Sequence, residues 1–270
     1  MIDALKKSPY GLILLAAFLV RLIAVIFSPG YGMHDDHFLI IESSSSWVDG
    51  YDYNNWLPWS PNNPGHPHGH SFTYVGFNFL YFGLMKMIGV TDPKTLMLIN
   101  RFLHALASMI VVLYSIKITE KLSNVQNAKI VGWLLALLWI LPFVSVRNLV
   151  EIATVPWLVY GVWLLLKNDH RSNFILAGLM AGMAVSFRYQ IGVFAIGVAG
   201  YYFLKMEWQK FLLFCTGVLV MFTLTQGLVD YFIWGYPFAE FLGYVFYNMT
   251  EGTTYLPNNN YLMYFLVLIG

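Results

Sequence analysis

Two adjacent carboxylates, Asp35 and Asp36, follow the first hydrophobic segment of the chain and are flanked by His34 and His37. A carboxylate can take a proton from a hydroxyl group, and paired carboxylates beside an imidazole can also bind a divalent ion. Paired aspartates are also found in solvated loops of proteins, where they have no chemical role. Their position directly after a hydrophobic segment makes them candidate catalytic residues, with a metal site as an alternative.

Other polar residues interrupt apolar segments further along the chain. Charged groups at membrane depth are costly and usually line a cavity or pair with one another. Arg147 and Glu151 are four residues apart and could pair on one helix, or both could face a substrate. Arg188 suits a phosphate contact or an internal ion pair equally well. These candidates are Arg147, Glu151, Arg188, Tyr189 and Asp230.

The segment PNNPGHPHGH brings His66, His68 and His70 into alternating positions. Imidazoles bind zinc and copper, but the intervening Pro and Gly indicate an irregular loop. We therefore expect no metal here, and regard His70 as a candidate for contacting a phosphate. Aromatic residues crowd the preceding segment, where membrane anchoring and stacking on sugar rings are both plausible uses: Trp47, Tyr51, Tyr53, Trp56 and Trp59.

The amino-acid composition predicts the class of fold that must position these residues. Charged residues make up 11% of the chain, against about a quarter in soluble domains. We therefore predict an all-α, polytopic transmembrane helical bundle. The net charge of +1 gives no support to a nucleic-acid partner, and the single Cys215 excludes a disulfide within the chain.

Apolar runs predict the membrane helices, which need about 20 residues to cross a bilayer. The first, Leu12–Phe27, is longer than a cleaved signal and is read as a retained helix. A final run opens at Tyr261 and stops at Gly270, so we expect one domain, 1–270, that lacks C-terminal helices. The other runs are Leu96–Ile118, Ile130–Val146, Val150–Leu166, Ile175–Phe187, Ile191–Leu204 and Leu212–Ile233.

The segment Phe72–Gly89 decides the topology. If it crosses the bilayer, Lys and Arg divide evenly between the two sides. If it lies on the outer surface as an interfacial helix, most Lys and Arg fall on the cytoplasmic side, as the positive-inside rule requires. We predict the second arrangement. It places the acidic segment after the first helix, the residues near 147–151 and 187–190, and the segment from Asp230 onward on one external face.

Several motifs resemble the GT-C glycosyltransferases, and among these the dolichol-phosphate-mannose-dependent mannosyltransferases of asparagine-linked glycan and GPI-anchor assembly. Met33–Phe38 is similar to that family's His-Pro-Asp-Glu-x-Phe loop, and Asn148–Glu151 to its Asn-Ser-x-Glu. The segment DYFIWGYPFAEFLGYVFYN looks like the Gly-x-x-x-x-x-Pro-Phe block and contributes Asp230, Gly235, Pro237, Phe238, Tyr247 and Asn248. In YLPNNNYLMY, Pro257 and Tyr261 remain of a His-Pro-Trp-His-Trp-Tyr segment.

The resemblance implies an inverting transfer of a sugar, mannose in that family, from a polyprenyl-phosphate donor to a glycan or lipid-linked acceptor. It implies no bound cofactor or metal. The register set by Phe38 makes Asp35 the general base and Asp36 its supporting neighbour. Substrate contacts are expected from His34, His37, His70, Arg147, Glu151, Arg188, Tyr189 and Asp230.

Membrane lipids and the two substrates are the expected partners, and the expected location is a bacterial inner membrane with the active site facing the periplasm. In a eukaryote the corresponding face would be the lumen of the endoplasmic reticulum. A transporter or lipid flippase is the rival interpretation, although no internal repeat is visible. An inactive relative that scaffolds an assembly is a third.

Overall fold

The computed structural model describes residues 9–30 and 34–250, with only the backbone at 34–36. The described chain is helical throughout its regular structure, which confirms the predicted all-α bundle. We number its helices in chain order as α1 Gly11–Phe27, α2 His34–Val48, α3 Phe72–Met87, α4 Pro93–Leu122, α5 Val125–Leu137, α6 Ile140–Ser145, α7 Val150–Lys167, α8 Arg171–Phe187, α9 Gly192–Leu204, α10 Trp208–Phe222, α11 Leu228–Trp234 and α12 Ala239–Thr250.

Three helices are long and apolar enough to cross a bilayer, namely α4, α7 and the continuous helix Trp208–Trp234 that contains α10 and α11. Shorter apolar helices include α1, α5, α8 and the segment Tyr189–Leu204. Within the described residues these positions match the predicted runs, with one exception, and the predicted run from Tyr261 lies outside those residues. The run Ile130–Val146 forms two helices, because Leu138 has an extended backbone and Pro142 has no N–H to continue a helix.

The first helix carries an arginine that would be costly in lipid. Arg21 is only 3% exposed and faces the protein interior. Its guanidinium donates to Ser108 Oγ at 2.7 Å, Ala17 O at 3.2 Å and Leu135 O at 3.2 Å. Because each arm of the guanidinium finds an oxygen acceptor, α1, α4 and α5 can enclose a charge within their shared core.

Close approach of α8 and α10 forms the tightest helix pair. A Cβ added to Gly178 would lie 2.1 Å from Phe214 O, and one added to Gly217 would lie 2.3 Å from Ile175 O. Small residues at such a contact let two backbones meet, which is how helices commonly associate within membranes. The core around this contact includes Ala181 and the fully buried Phe214.

Further polar contacts lie at the two ends of the bundle. At one end Lys121 Nζ donates to Lys167 O at 2.9 Å, and Lys210 pairs with Asp169 at 2.9 Å. The acidic segment and the residues near 147–151, 187–190 and 230–240 meet at the other end. This separation agrees with the alternating crossings of the predicted topology. Which end faces the cytoplasm stays a prediction.

Helix α3 has 16 residues and is not among the helices long and apolar enough to cross a bilayer. Its N-cap is Ser71, whose hydroxyl accepts the N–H of Thr73 at 3.2 Å. It packs along α2 and reaches the helix containing α10 through a hydrogen bond from Thr73 Oγ1 to Thr225 O at 3.2 Å. Its placement on the membrane surface stays a prediction.

Candidate active site

A cavity of about 270 Å³ lies at the polar end of the bundle, between α2, α3, α7, α12 and the turn that joins α8 to α9. Its wall combines an arginine, imidazoles, hydroxyl groups and an amide with aromatic rings. This mixture suits a polar ligand that also has an apolar part. The polar lining residues are His68, His70, Ser71, Tyr74, Arg188, Tyr189, Gln190, Tyr244, Tyr247 and Asn248.

The loop that brings His70 to this cavity is held by Glu240. The Glu240 side chain is fully buried, and its Oε2 accepts the N–H groups of Gly69 at 2.7 Å and His70 at 3.0 Å. Its Oε1 accepts the indole N–H of Trp234 at 2.9 Å. Gly69 has a φ of 82°, and a Cβ there would lie 2.8 Å from Tyr244 Cα, so a larger residue would not fit.

Glu240 is in turn positioned by Asp230. Asp230 is fully buried, and its carboxylate accepts the N–H of Glu240 at 2.9 Å and the amide of Gln226 at 2.8 Å. Gln226 lies in a π-helical segment, Thr223–Gly227, and its Oε1 lies 3.1 Å from Ser71 Oγ. Asp230, predicted to bind substrate, is not among the residues that line the cavity. It supports the start of α12.

His70 presents a neutral ring to the cavity. Burial lowers the pKa of His70 to about 4, and the charges of His68 and Arg188 act in the same direction. The ring stacks on Trp56, with centroids 4.2 Å apart and planes inclined by 22°. A neutral imidazole can still donate one hydrogen bond, so the predicted phosphate contact would be a neutral one.

Arg188 lies at the cavity wall and pairs with Glu151. Arg188 Nη2 is 3.0 Å from Glu151 Oε1, and the two side chains are 35% and 44% exposed. The alternative of an ion pair between Arg147 and Glu151 is wrong, because Glu151 at the start of α7 turns toward the α8–α9 junction. Of the two predicted cations, Arg188 alone shares the cavity with His70.

Arg147 occupies a different place. It is 3% exposed and donates to Gly30 O and, at 2.7 Å, to Ser28 Oγ. It therefore connects the segment between α6 and α7 to the chain that follows α1. It lines a second cavity of about 380 Å³ together with Arg101. Burial, and then the charge of Arg101, lowers the pKa of Arg147.

The predicted catalytic pair begins α2. His34, Asp35 and Asp36 form its first turn, and their side chains lie outside the described residues. Opposite faces of α2 line the two cavities, with Leu39 and Ile40 on the first and Phe38 and Ile41 on the second. His37 is 8% exposed on the second face, and burial, followed by the charge of Arg147, lowers its pKa to about 4.

The three histidines of the loop do not converge on a common point. The ring centroids of His66 and His68 are 6.0 Å apart, and those of His68 and His70 are 6.5 Å apart. Within the described part of the chain, no three His, Cys, Asp or Glu side chains are placed to hold one metal ion. The proposed metal role of Asp35 and Asp36 falls on side chains outside that part.

The aromatic segment before the loop is organised by Asp52. Its carboxylate accepts the indole N–H of Trp47 at 3.0 Å, the N–H of Leu57 at 2.7 Å and the hydroxyl of Ser60 at 2.5 Å. Trp56 is 5% exposed, so its face is covered by His70 and neighbouring residues, whereas Trp59 is 67% exposed. Trp59 therefore remains suited to membrane anchoring or to stacking on a sugar.

Sequence reasoning missed Glu240 and Tyr74. An acidic residue within the apolar segment FAEFLGY was a usable signal for Glu240. Tyr74 gave no such signal, since tyrosines are common in this chain. Its hydroxyl donates to Asn148 Oδ1 and lies 2.7 Å from His104 Nε2, in a buried network behind the cavity.

Comparison with known proteins agrees with this architecture. The model of the Alg9-like mannosyltransferase family matches residues 12–266, which is nearly the whole chain. No curated protein and no solved structure matches. The matched range includes both the acidic turn of α2 and the cavity around Arg188.

Proposed function

Since the chain belongs to the Alg9-like mannosyltransferase family, and is thus a membrane mannosyltransferase, we propose that it transfers mannose from a polyprenyl-phosphate donor to a glycan or lipid-linked hydroxyl group. The observation that carries this proposal is the cavity where Arg188, His70 and Tyr189 meet beside α2. It offers a cation for a phosphate, and it lies next to the helix that begins with Asp35 and Asp36.

The proposed reaction breaks the bond between mannose C1 and the phosphate oxygen. The acceptor oxygen attacks C1 from the opposite side, which inverts the configuration, and its proton passes to a carboxylate. We assign this base to Asp35 and a supporting role to Asp36. The polyprenyl phosphate leaves as an anion, so the site must stabilise negative charge more than supply a proton.

Arg188 is the proposed ligand of that leaving phosphate. A guanidinium can bind two phosphate oxygens at once, and such charge-assisted hydrogen bonds are about twice as strong as neutral ones. Glu151 acts as a positioning residue, because its 3.0 Å contact holds the Arg188 guanidinium at the cavity wall. His70 and Tyr189 contribute neutral hydrogen-bond donors. Tyr247 and Asn248 complete the wall from α12.

The proposed orientation places this cavity on the external face of the membrane, which is periplasmic in a bacterium. Its support is the distribution of Lys and Arg in the sequence, together with the separation of polar contacts between the two ends of the bundle. The grouping of Glu151, Arg188 and Glu240 at this end of the bundle also favours an enzyme over a transporter, whose functional charges are expected near mid-depth.

The direct test incubates the purified full-length protein with polyprenyl phosphates carrying mannose, glucose or galactose and a lipid extract as the acceptor source. Release of polyprenyl phosphate from the mannose donor, with label moving from donor to acceptor, is the expected result. Preference for another sugar would contradict the proposed donor. No release from any of the three would contradict polyprenyl-phosphate dependence.

A further inference from the structure

Two arginines converge on the end of the first helix. Arg101, on α4, donates from Nε to Val25 O at 2.9 Å. Arg147, between α6 and α7, donates to Gly30 O and Ser28 Oγ. Arg101 therefore caps the carbonyl end of α1, where the helix dipole is equivalent to about half a negative charge, and Arg147 binds the chain just beyond this helix. Two full positive charges exceed what this helix end can neutralise.

Among the described side chains, no carboxylate pairs with either arginine. The ion pairs between described side chains join Lys86 with Asp49, Arg188 with Glu151, and Lys210 with Asp169 and Glu207. Neither Arg101 nor Arg147 takes part in any of them. Among the described side chains the site therefore holds two guanidinium groups without a carboxylate partner, and this favours an anion.

Two buried donors also lack acceptors. Arg147 and Asn148 are each 3% exposed, and neither Arg147 Nε nor Asn148 Nδ2 has a hydrogen-bond partner in the described structure. An unsatisfied buried donor costs about 1–3 kcal/mol. Both residues line the second cavity, of about 380 Å³, together with Arg101. A bound anion with several oxygen atoms could accept hydrogen bonds from both donors and would also neutralise the charges of Arg101 and Arg147.

The remaining walls of the cavity indicate what the anion is attached to. Phe82, Leu96 and Met97 give it an apolar side, and the last two lie in the first turns of α4, one of the helices able to cross a bilayer. The site therefore lies where a membrane helix ends. A lipid phosphate brings an anionic group and an apolar chain to that depth.

We propose that the cavity between Arg101 and Arg147 binds the phosphate group of an anionic membrane phospholipid. The site is separate from the Arg188 cavity, because α2 lies between the two and each is lined by a different face of that helix. The inference does not depend on the transfer reaction, since it concerns the lipid environment in which the folded protein is held.

Native mass spectrometry of the delipidated full-length protein can test this inference. The probes are phosphatidylglycerol, which is anionic, and phosphatidylcholine, which is zwitterionic. We expect phosphatidylglycerol to bind with at least about tenfold higher affinity, and Arg101→Gln to reduce its affinity about tenfold, through loss of a charge-assisted contact. Arg171→Gln, which changes an arginine at the other end of the bundle, should bind as the wild type does.

Arg101→Gln is the main variant because Arg101 is partly exposed and makes one contact with α1, whereas Arg147 is buried with two contacts to the chain after α1, and Arg147→Gln could prevent folding. Equal binding of both lipids, or unchanged binding by Arg101→Gln, would overturn the proposal. Inorganic phosphate that binds with the same dependence on Arg101, without competition from phosphatidylglycerol, would identify a free-anion site and also overturn it. Polyprenyl phosphate that binds more tightly than phosphatidylglycerol, with the same dependence on Arg101, would assign the cavity to the donor and have the same effect.

Discussion

Arg188 is the residue on which donor recognition is expected to depend. Arg188→Gln keeps a polar side chain but removes the charge, so affinity for polyprenyl-phosphate mannose should fall about tenfold or more. Equilibrium binding of a labelled donor measures this change. Arg171→Gln, a change of the same kind at the opposite end of the bundle, should leave affinity unaltered. Unchanged binding by Arg188→Gln would place the phosphate elsewhere.

The environment of Glu240 predicts that the stability of the folded protein depends on pH. Burial raises the pKa of Glu240 to about 7, from an ordinary value of 4.5. Its contribution to stability is therefore fully present below the unfolded pKa and is lost as the pH rises through 7. The side chain introduced by Glu240→Gln cannot ionise, so this variant should lose less stability than the wild type over the same pH range. The opposing effect of His70, whose pKa is lowered, is present in both proteins and cancels.

Thermal unfolding in detergent at pH 5 and pH 8 tests this expectation. Between these values the melting temperature of the wild type should fall relative to that of Glu240→Gln, by an amount corresponding to about 1–3 kcal/mol. A difference between the two proteins that is independent of pH would show that Glu240 ionises as an exposed carboxylate does. The prediction concerns the same contact that holds His70 at the cavity.

At the scale of elements, the contact between α8 and α10 should tolerate no side chain at Gly178. A Cβ there would lie 2.1 Å from Phe214 O, so Gly178→Ala must force the helices apart, at a cost of about 1–3 kcal/mol. The matched control is Gly197→Ala in α9, where nothing lies within 4 Å of the added atom. A lower melting temperature is expected for the first variant only. Equal melting temperatures would contradict the close packing.

The sequence predicted most helices because long apolar runs determine them directly. It failed where a local backbone feature interrupts a run, as at Leu138 and Pro142, since an average over 20 residues hides such a break. For the site, charge and position identified Arg188 and Glu151 but not their pairing. Sequence spacing favoured Arg147 as the partner of Glu151, whereas packing of α8 beside α7 brings Arg188 there instead.

The contacts of Glu240 show a further limit. Its partners, Gly69 and His70, are 171 and 170 residues away in the chain. Spacing along one helix carries no information about such a contact, because the bundle must first bring α12 beside the loop before α3. The same holds for Arg101 and Arg147, whose shared cavity depends on where α1 ends.

At the scale of the whole molecule, the topology predicts that the connection between α4 and α5 is cytoplasmic. In a background with Cys215→Ser, the variant Ser123→Cys should react with a membrane-impermeant thiol reagent only after the cells are opened. Asn62→Cys, in the loop that we predict to be external, should react in intact cells. Labelling of Ser123→Cys from outside intact cells would invert the topology and move the Arg188 cavity to the cytoplasmic face.

The central claim, that this membrane mannosyltransferase uses the acidic turn of α2 as its catalytic base, is tested most directly by the turnover of Asp35→Asn. Asparagine keeps the size of the side chain but cannot accept the proton, so transfer should fall by about 10²–10⁴-fold while donor binding is kept. Asp36→Asn should cost less. Near-normal turnover by Asp35→Asn with an inactive Asp36→Asn would move the base by one residue, and near-normal turnover by both variants would contradict the claim.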